Sequence, residues 1–308
     1  MKKNVRYVEV GMLRLGAHGV VMTRGRSLAI TQRSFSTPNA PISASAEELM
    51  GSIYKRELPR SLTSLSSPEG KALFREALLA GDMESFFPLS EQFLTQSEPA
   101  FCALSSLAMV LNALNQDPGK VWKGIWRWTS EESLRCENHS ACGHEHDKFK
   151  VNGLNFSEFE GLAACHRVNM LSYRVGDAAK GAHDKVCGKH AAHECHSSTM
   201  QRNADNSSDA LLKFREYLEE SCRSDKAESF VIANFDRGLL GQTGSGHFSP
   251  IGGYHREKDL VLVMDVARFK YPPWWVSVDK LWAAMSIGDE QAGEARGYFV
   301  CRSKPLEL

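Results

Sequence analysis

The order of regular elements along the chain constrains its fold more than any other feature. Apolar residues recur at helical spacing in three segments, residues 68–80, 95–114 and 209–221. Short β-rich runs separated by turn residues fill the C-terminal third, at 229–236, 247–255, 260–267 and 297–302. Helices first and strands later predict an α+β fold with an antiparallel sheet, because alternating βα units would interleave the two patterns.

The second helical segment, "TQSEPAFCALSSLAMVLNAL", places a cysteine near the beginning of an apolar helix. We expect the helix to begin near Pro99 with Ser97 as its N-cap, which puts Cys102 in the first turn. Unpaired N–H groups at a helix N-terminus favour a thiolate, so this position favours reactivity. Many first-turn cysteines are inert, so a nucleophile also requires a base.

His247 in "GQTGSGHFSPIGGY" is the candidate base, and Asp265 in "LVMDVARF" is its candidate partner. If residues 247–254 and 258–265 form a hairpin in which Tyr254 opposes Lys258, His247 lies opposite Asp265, with Cβ atoms ~5 Å apart. A carboxylate there would fix the tautomer of the imidazole. Pro250 could introduce a bulge that shifts this register.

Two further relations favour acyl transfer. Cys102 and His247 are 145 residues apart, which is within the interval of about 130 to 150 residues found in papain-like cysteine enzymes. Gln96 lies six residues before Cys102, and its side-chain amide could donate to a developing oxyanion, an interaction typically worth ~3 kcal/mol. Each residue has an ordinary explanation by itself, as a surface amide, a strand histidine or a turn acid.

These residues lie in long motifs that resemble the phytochelatin synthase family. The blocks are "QSEPAFCALSSLAMVLNAL", "DPGKVWKGIWRW", "GQTGSGHFSPIGGYH" and "DVARFKYPPWWV". The resemblance implies a papain-like fold, with the nucleophile helix packed on an antiparallel sheet. It also implies Cys102 as nucleophile, His247 as general base and acid, Asp265 as orienting carboxylate and Gln96 as oxyanion donor. Arg268 would hold the substrate.

The implied enzyme is an acyltransferase, a γ-Glu-Cys dipeptidyl transpeptidase that makes phytochelatins from glutathione for heavy-metal detoxification. It would work through a thioester on Cys102 with release of glycine. One alternative is a hydrolase that only removes glycine from glutathione or its conjugates. Another, of a different class, is a His/Cys-rich metal-buffering protein.

Residues 136–196 contain five of the eight cysteines and eight of the eleven histidines. Thiolate and imidazole ligands in a compact span suit Zn²⁺, Cu⁺ and Cd²⁺. The candidate ligands are Cys136, His139, Cys142, His144, His146, Cys187 and Cys195. A labile metal-binding loop, a variable surface insertion and an ordered structural site all remain open. We expect no covalent cofactor, since metal could act as the thiolate complex of glutathione itself.

Composition and the lengths of apolar runs limit which partners and locations the sequence predicts. Lys and Arg total 37, as do Asp and Glu, so no basic excess favours nucleic acid as a partner. No apolar run reaches the roughly 18 to 20 residues of a membrane span. Residues 1–50 are basic, Ser-containing and poor in acids, which predicts a mitochondrial transit peptide or a disordered tail in a cytoplasmic protein. The catalytic domain would occupy residues 51–308, with residues 136–196 as an insertion, and a homodimer is not excluded.

Overall fold

The computed structural model describes residues 55–135, 146–166, 168–176, 207–223, 228–290, 292–293 and 295–303. The predicted leader at residues 1–50 lies outside these ranges. Within them, no helix combines the length and apolar character that crossing a membrane requires.

Most helices precede most strands in the described residues, as predicted, although a two-residue strand precedes the first helix, one strand lies between helices and one helix lies between strands. The helices are α1 (Pro68–Leu79), α2 (Phe86–Glu91), α3 (Cys102–Ala113), α4 (His146–Asn152), α5 (Phe156–Cys165), α6 (Ser207–Arg223) and α7 (Val278–Ser286). The strands are β1 (Thr63–Ser64), β2 (Asn169–Arg174), β3 (Ser229–Asp236), β4 (Gly246–His255), β5 (Leu260–Val263), β6 (Trp274–Ser277) and β7 (Gly297–Arg302). The α+β prediction is therefore confirmed.

The strands form one antiparallel sheet in the order β1-β6-β5-β4-β3-β7-β2. Side chains along β3 alternate between its two faces, as strand geometry requires. Phe230 and Ile232 join a core with α1, α3 and α5, whereas Val231 and Phe235 join a second core with α6 and α7. The sheet is thus covered by helices on both faces, and β4 lies at its centre.

Helix α3 is the most deeply buried helix of the first core. All of its residues except Cys102 and Asn112 are buried, so its apolar character surrounds the whole helix rather than one face. The predicted start near Pro99 and the predicted Ser97 cap are wrong. The helix begins at Cys102 and its N-cap residue is Phe101, which makes no side-chain cap, because the hydroxyl and amide of Ser97 instead bond to the Glu131 carboxylate.

The segment 136–196, for which the sequence leaves a metal-binding loop, a surface insertion and an ordered site open, contains regular structure in its central part. Helices α4 and α5 and the edge strand β2 lie within it, and Phe159 and Leu162 of α5 are buried in the first core. Asn155 caps α5 in a capping box with Glu158, whose carboxylate bonds back to the Asn155 amide. This capping signal was present in the sequence "NFSE".

Candidate active site

Cys102 is the first residue of α3, and its side chain remains partly accessible. Burial raises the pKa of the Cys102 thiol above its ordinary value. Hydrogen bonds from the backbones of Phe248 and Ala103 and the charge of Arg237 lower it, but they do not compensate. The backbone at the helix N-terminus favours the thiolate, as expected, but it is not sufficient alone because desolvation outweighs it.

His247 and Asp265 are in direct contact. His247 Nε2 lies 3.0 Å from Asp265 Oδ1 and also 3.0 Å from Ser249 Oγ, and all three side chains are buried. Since a carboxylate oxygen only accepts, this contact requires a proton on Nε2 and leaves Nδ1 as the basic nitrogen.

The register behind this contact differs from the prediction. His255 pairs with Leu260 and Tyr254 with Val261, so the loop is longer than expected. Arg256–Lys258 form a short 3₁₀ turn that ends with Asp259 in the left-handed region, at φ 51°. A further irregularity falls at Gly252.

This irregularity requires glycine at residue 252. A Cβ there would lie only 2.7 Å from the Met264 side chain. Strand β5 ends at Val263. The carboxylate of Asp265 therefore reaches His247 from the loop beyond the ladder, and not as its cross-strand neighbour.

Burial and Arg237 together lower the pKa of His247 to about 4, although Asp265 acts in the opposite direction. Burial alone would raise the pKa of Asp265, but the charges of His247 and Arg237 hold it well below its usual range. At neutral pH the site therefore contains a neutral imidazole beside a carboxylate.

Asp265 is held by more groups than His247. Arg237 donates from Nη1 to Oδ2 at 3.0 Å and from Nη2 to Oδ1 at 2.9 Å. Trp274 Nε1 donates to Oδ2 at 3.1 Å, and the Ala267 amide donates to Oδ1 at 2.9 Å. Sequence reasoning missed Arg237, which is 2 % exposed, because a charged residue after a strand usually indicates the surface.

Ser106 connects the helix of the thiol to the strand of the imidazole. It lies one turn after Cys102, and its Oγ donates to the carbonyl of Phe248 at 3.1 Å. The backbone of Phe248 also bonds to the thiol of Cys102. The backbone of Phe248, the residue after His247, is thus held at two points along α3.

Gln96 is buried in the loop before α3. Its Nε2 donates to the carbonyls of Glu98 at 2.9 Å and Pro99 at 2.8 Å. Both amide protons are therefore engaged, and one of these bonds must be exchanged before Gln96 can donate to an oxyanion. Its Oε1 has no hydrogen-bond partner among the described residues.

The family model for phytochelatin synthase matches residues 53–298. The chain belongs to the phytochelatin synthase family. The chain is 42% identical over 252 residues to glutathione gamma-glutamylcysteinyltransferase 1 of Lotus japonicus, covering 82% of this chain and 42% of that protein.

Other family members give the same result. The chain is 40% identical over 252 residues to glutathione gamma-glutamylcysteinyltransferase 1 of Arabidopsis thaliana, covering 82% of this chain and 44% of the relative. It is 35% identical over 262 residues to the Schizosaccharomyces pombe glutathione gamma-glutamylcysteinyltransferase, covering 85% and 54%. The chain thus spans about half the length, or somewhat less, of these relatives.

Arg268, which the family resemblance implicates in substrate binding, is exposed. Its guanidinium lies 4.6 Å from the centre of the Phe93 ring, an arrangement that holds the charge without neutralising it. No carboxylate among the described residues pairs with it. The guanidinium is therefore available to bind an anionic group of a ligand.

The candidate metal ligands cannot be placed. Cys136, His139, Cys142, His144, Cys187 and Cys195 lie outside the described residues, and only the backbone of His146 is described, within α4. In the described part of the chain, no group of three or more His, Cys, Asp or Glu residues could hold a metal ion.

Proposed function

We propose that this chain is a glutathione γ-glutamylcysteinyltransferase that makes phytochelatins from glutathione in heavy-metal detoxification. The observation that carries the proposal is the joint between α3 and β4, where the Cys102 thiol lies against the backbone of the residue that follows His247. Family membership supports the same reaction, since the relatives carry that name.

The proposed fold is papain-like. An apolar helix with a cysteine as its first residue, packed on an antiparallel sheet that carries the histidine, is the arrangement expected of that class. The contact of Asp265 with Nε2 of His247, which would orient the imidazole, also supports this fold.

In the proposed first half-reaction, the thiol proton of Cys102 passes to His247 Nδ1 as sulfur attacks the Cys–Gly carbonyl of glutathione. The oxyanion would be stabilised by the Cys102 amide and by Gln96 after that amide exchanges one of its bonds. When the C–N bond breaks, the imidazolium returns its proton to the amine of glycine. A γ-Glu-Cys thioester then remains on Cys102.

In the second half-reaction, the α-amine of another glutathione or of a growing peptide attacks the thioester. His247 takes the proton from this amine, and sulfur departs as thiolate and is then reprotonated. Glutathione carries two carboxylates, and Arg268 is the proposed partner of one of them. Attack by water in place of the amine would give only γ-Glu-Cys.

Metal ions enter the proposal chiefly through the acceptor. Two glutathione thiolates on one Cd²⁺, Zn²⁺ or Cu⁺ would form a blocked-thiol substrate, with the cysteines and histidines of residues 136–196 as additional ligands. We further propose that residues 1–50 direct the protein to mitochondria, which imaging of a fluorescent fusion would test.

Product analysis tests the function directly. Incubation with glutathione should release glycine and form (γ-Glu-Cys)n-Gly with n of two or more, and Cd²⁺ should increase the yield. Cys102→Ala should abolish both products, whereas Cys165→Ala, which changes an exposed cysteine at the end of α5, should not. Glycine with only γ-Glu-Cys would indicate the hydrolase, and persistence of glycine release in Cys102→Ala would refute the nucleophile.

A further inference from the structure

Asp265 differs from an isolated catalytic carboxylate in the way its charge is balanced. Both of its oxygens accept from the guanidinium of Arg237, at 2.9 and 3.0 Å. The side chains of Arg237 and Asp265 are 3 % and 0 % exposed to solvent. Two parallel bonds between a guanidinium and a carboxylate are the strongest geometry for such a pair.

Other groups fix Arg237 in this position. Nη1 also donates to Oε1 of Gln242, and the guanidinium lies 5.2 Å from the centre of the Tyr271 ring. Trp274 Nε1 bonds to the same carboxylate oxygen as Nη1. The guanidinium therefore cannot move away from Asp265 without breaking several contacts.

The charged groups that act on His247 come from two places. Asp265 and Lys270 lie after β5, and Arg237 follows β3. A lone buried carboxylate beside an imidazole would stabilise the imidazolium and consume the base at neutral pH. If a cation cancels the charge of that carboxylate, its oxygens still accept a hydrogen bond from the imidazole but no longer stabilise the imidazolium to the same extent.

We propose that Arg237 is a positioning residue that makes Asp265 a net-neutral hydrogen-bond acceptor for His247. The Arg237–Asp265 pair then takes the role that a neutral amide has in enzymes with a Cys-His-Asn triad. The proposal rests on the acyl-transfer function above, but it concerns how the base is kept unprotonated. It predicts that removing both charges is tolerated better than removing one.

The test uses Arg237→Met, Asp265→Asn and the double variant. His247 is titrated by NMR on protein labelled with ¹³C-histidine in a Cys102→Ala background, and a His247→Gln sample identifies its signal. Arg237→Met should raise the pKa of His247 by about one unit or more, and the double variant should return it most of the way. An unchanged titration in Arg237→Met would mean that Arg237 only braces the fold, and would overturn the proposal.

The second readout is the turnover of glutathione, measured in protein that keeps Cys102. Either single variant should lose about 100-fold in kcat, and the double variant should be about tenfold faster than Asp265→Asn, a non-additivity expected only of coupled charges. If Arg237→Met fails to fold, the comparison of the double variant with Asp265→Asn still decides. A double variant no faster and no more stable than Asp265→Asn would overturn the proposal.

A matched control is available at the turn between β4 and β5. Arg215 forms a comparable pair with Asp259, with Nη2 at 2.6 Å from Oδ2. Arg215→Met, Asp259→Asn and their combination should leave the His247 titration unchanged. A wild-type protein that releases no glycine would refute the proposed function, while the titration would still test Arg237.

Discussion

At the scale of single residues, the thiol and the imidazole of the site are both neutral at rest. Burial raises the pKa of Cys102, and the pKa of His247 is lowered to about 4. Proton transfer must therefore accompany nucleophilic attack, which makes the orientation of the imidazole decisive. The sequence indicated Cys102, His247 and Asp265, but not Arg237, because no local pattern marks an arginine that is buried by distant elements.

Replacement of Asp265 should affect turnover more than substrate affinity. Asp265→Ala frees Nε2 of His247 to lose its proton to Nδ1, so we expect kcat to fall by about 10³ to 10⁴ with KM changed by less than about tenfold. Steady-state kinetics with glutathione measures both constants. Asp259→Ala breaks another Arg–Asp pair and is the control for stability, and an effect of Asp265→Ala confined to KM would contradict its orienting role.

At the scale of elements, strands were easier to predict than their pairing. Strands β3 and β7 have the predicted bounds, since turn residues flank β-rich runs. The β4–β5 register depends on the Gly252 irregularity and on the left-handed Asp259, and both arise from contacts with other parts of the fold. The early start predicted for α3 failed because Ser97 bonds to Glu131, 34 residues away.

The joint between α3 and β4 gives a second prediction. Ser106→Ala leaves the Phe248 carbonyl without this donor, at a cost of about 1 kcal/mol in the free energy of unfolding. Because the backbone of the same residue, Phe248, also contacts Cys102, we expect kcat to fall by about tenfold or more, as measured by glycine release.

Ser221→Ala is the matched control for Ser106→Ala. Ser221 is also a buried helix serine, and its Oγ donates to the Ser229 carbonyl at 2.9 Å. It should show a similar loss of stability by denaturant unfolding without the loss of turnover. Equal activity in the two variants would mean that the joint does not position the thiol.

At the scale of the whole molecule, the candidate site is built into the centre of the sheet rather than added to its edge. The imidazole belongs to the central strand, and its carboxylate partner is bonded to Trp274 of the second core. Folding and the preparation of the base are therefore coupled. The resemblance in sequence identified the residues of this centre, whereas their burial on both sides became evident only from the fold.

This coupling predicts acid sensitivity of the fold. The pKa of His247 is about 4 in the folded protein, and its ordinary value is 6.5. As the pH falls, the unfolded chain therefore binds a proton at His247 before the folded protein does. Stability contributed by neutral His247 is present above pH 6.5 and is lost between 6.5 and 4, by up to a few kcal/mol. The midpoint temperature of thermal unfolding should fall as the pH is lowered over this range, and it should fall less in His247→Gln.

His255→Gln, which removes the buried histidine at the other end of β4, is the control for the loss of a strand histidine. A midpoint that falls equally in wild type and His247→Gln would show that other groups dominate acid unfolding.

The desolvated sulfur of Cys102 has one more consequence. Soft cations bind cysteine as the anion and not as the neutral SH group. The proposed nucleophile, protonated until substrate arrives, is therefore a poor chelator. In the proposed function, the enzyme would stay active in the presence of the heavy-metal ions that its peptide products bind.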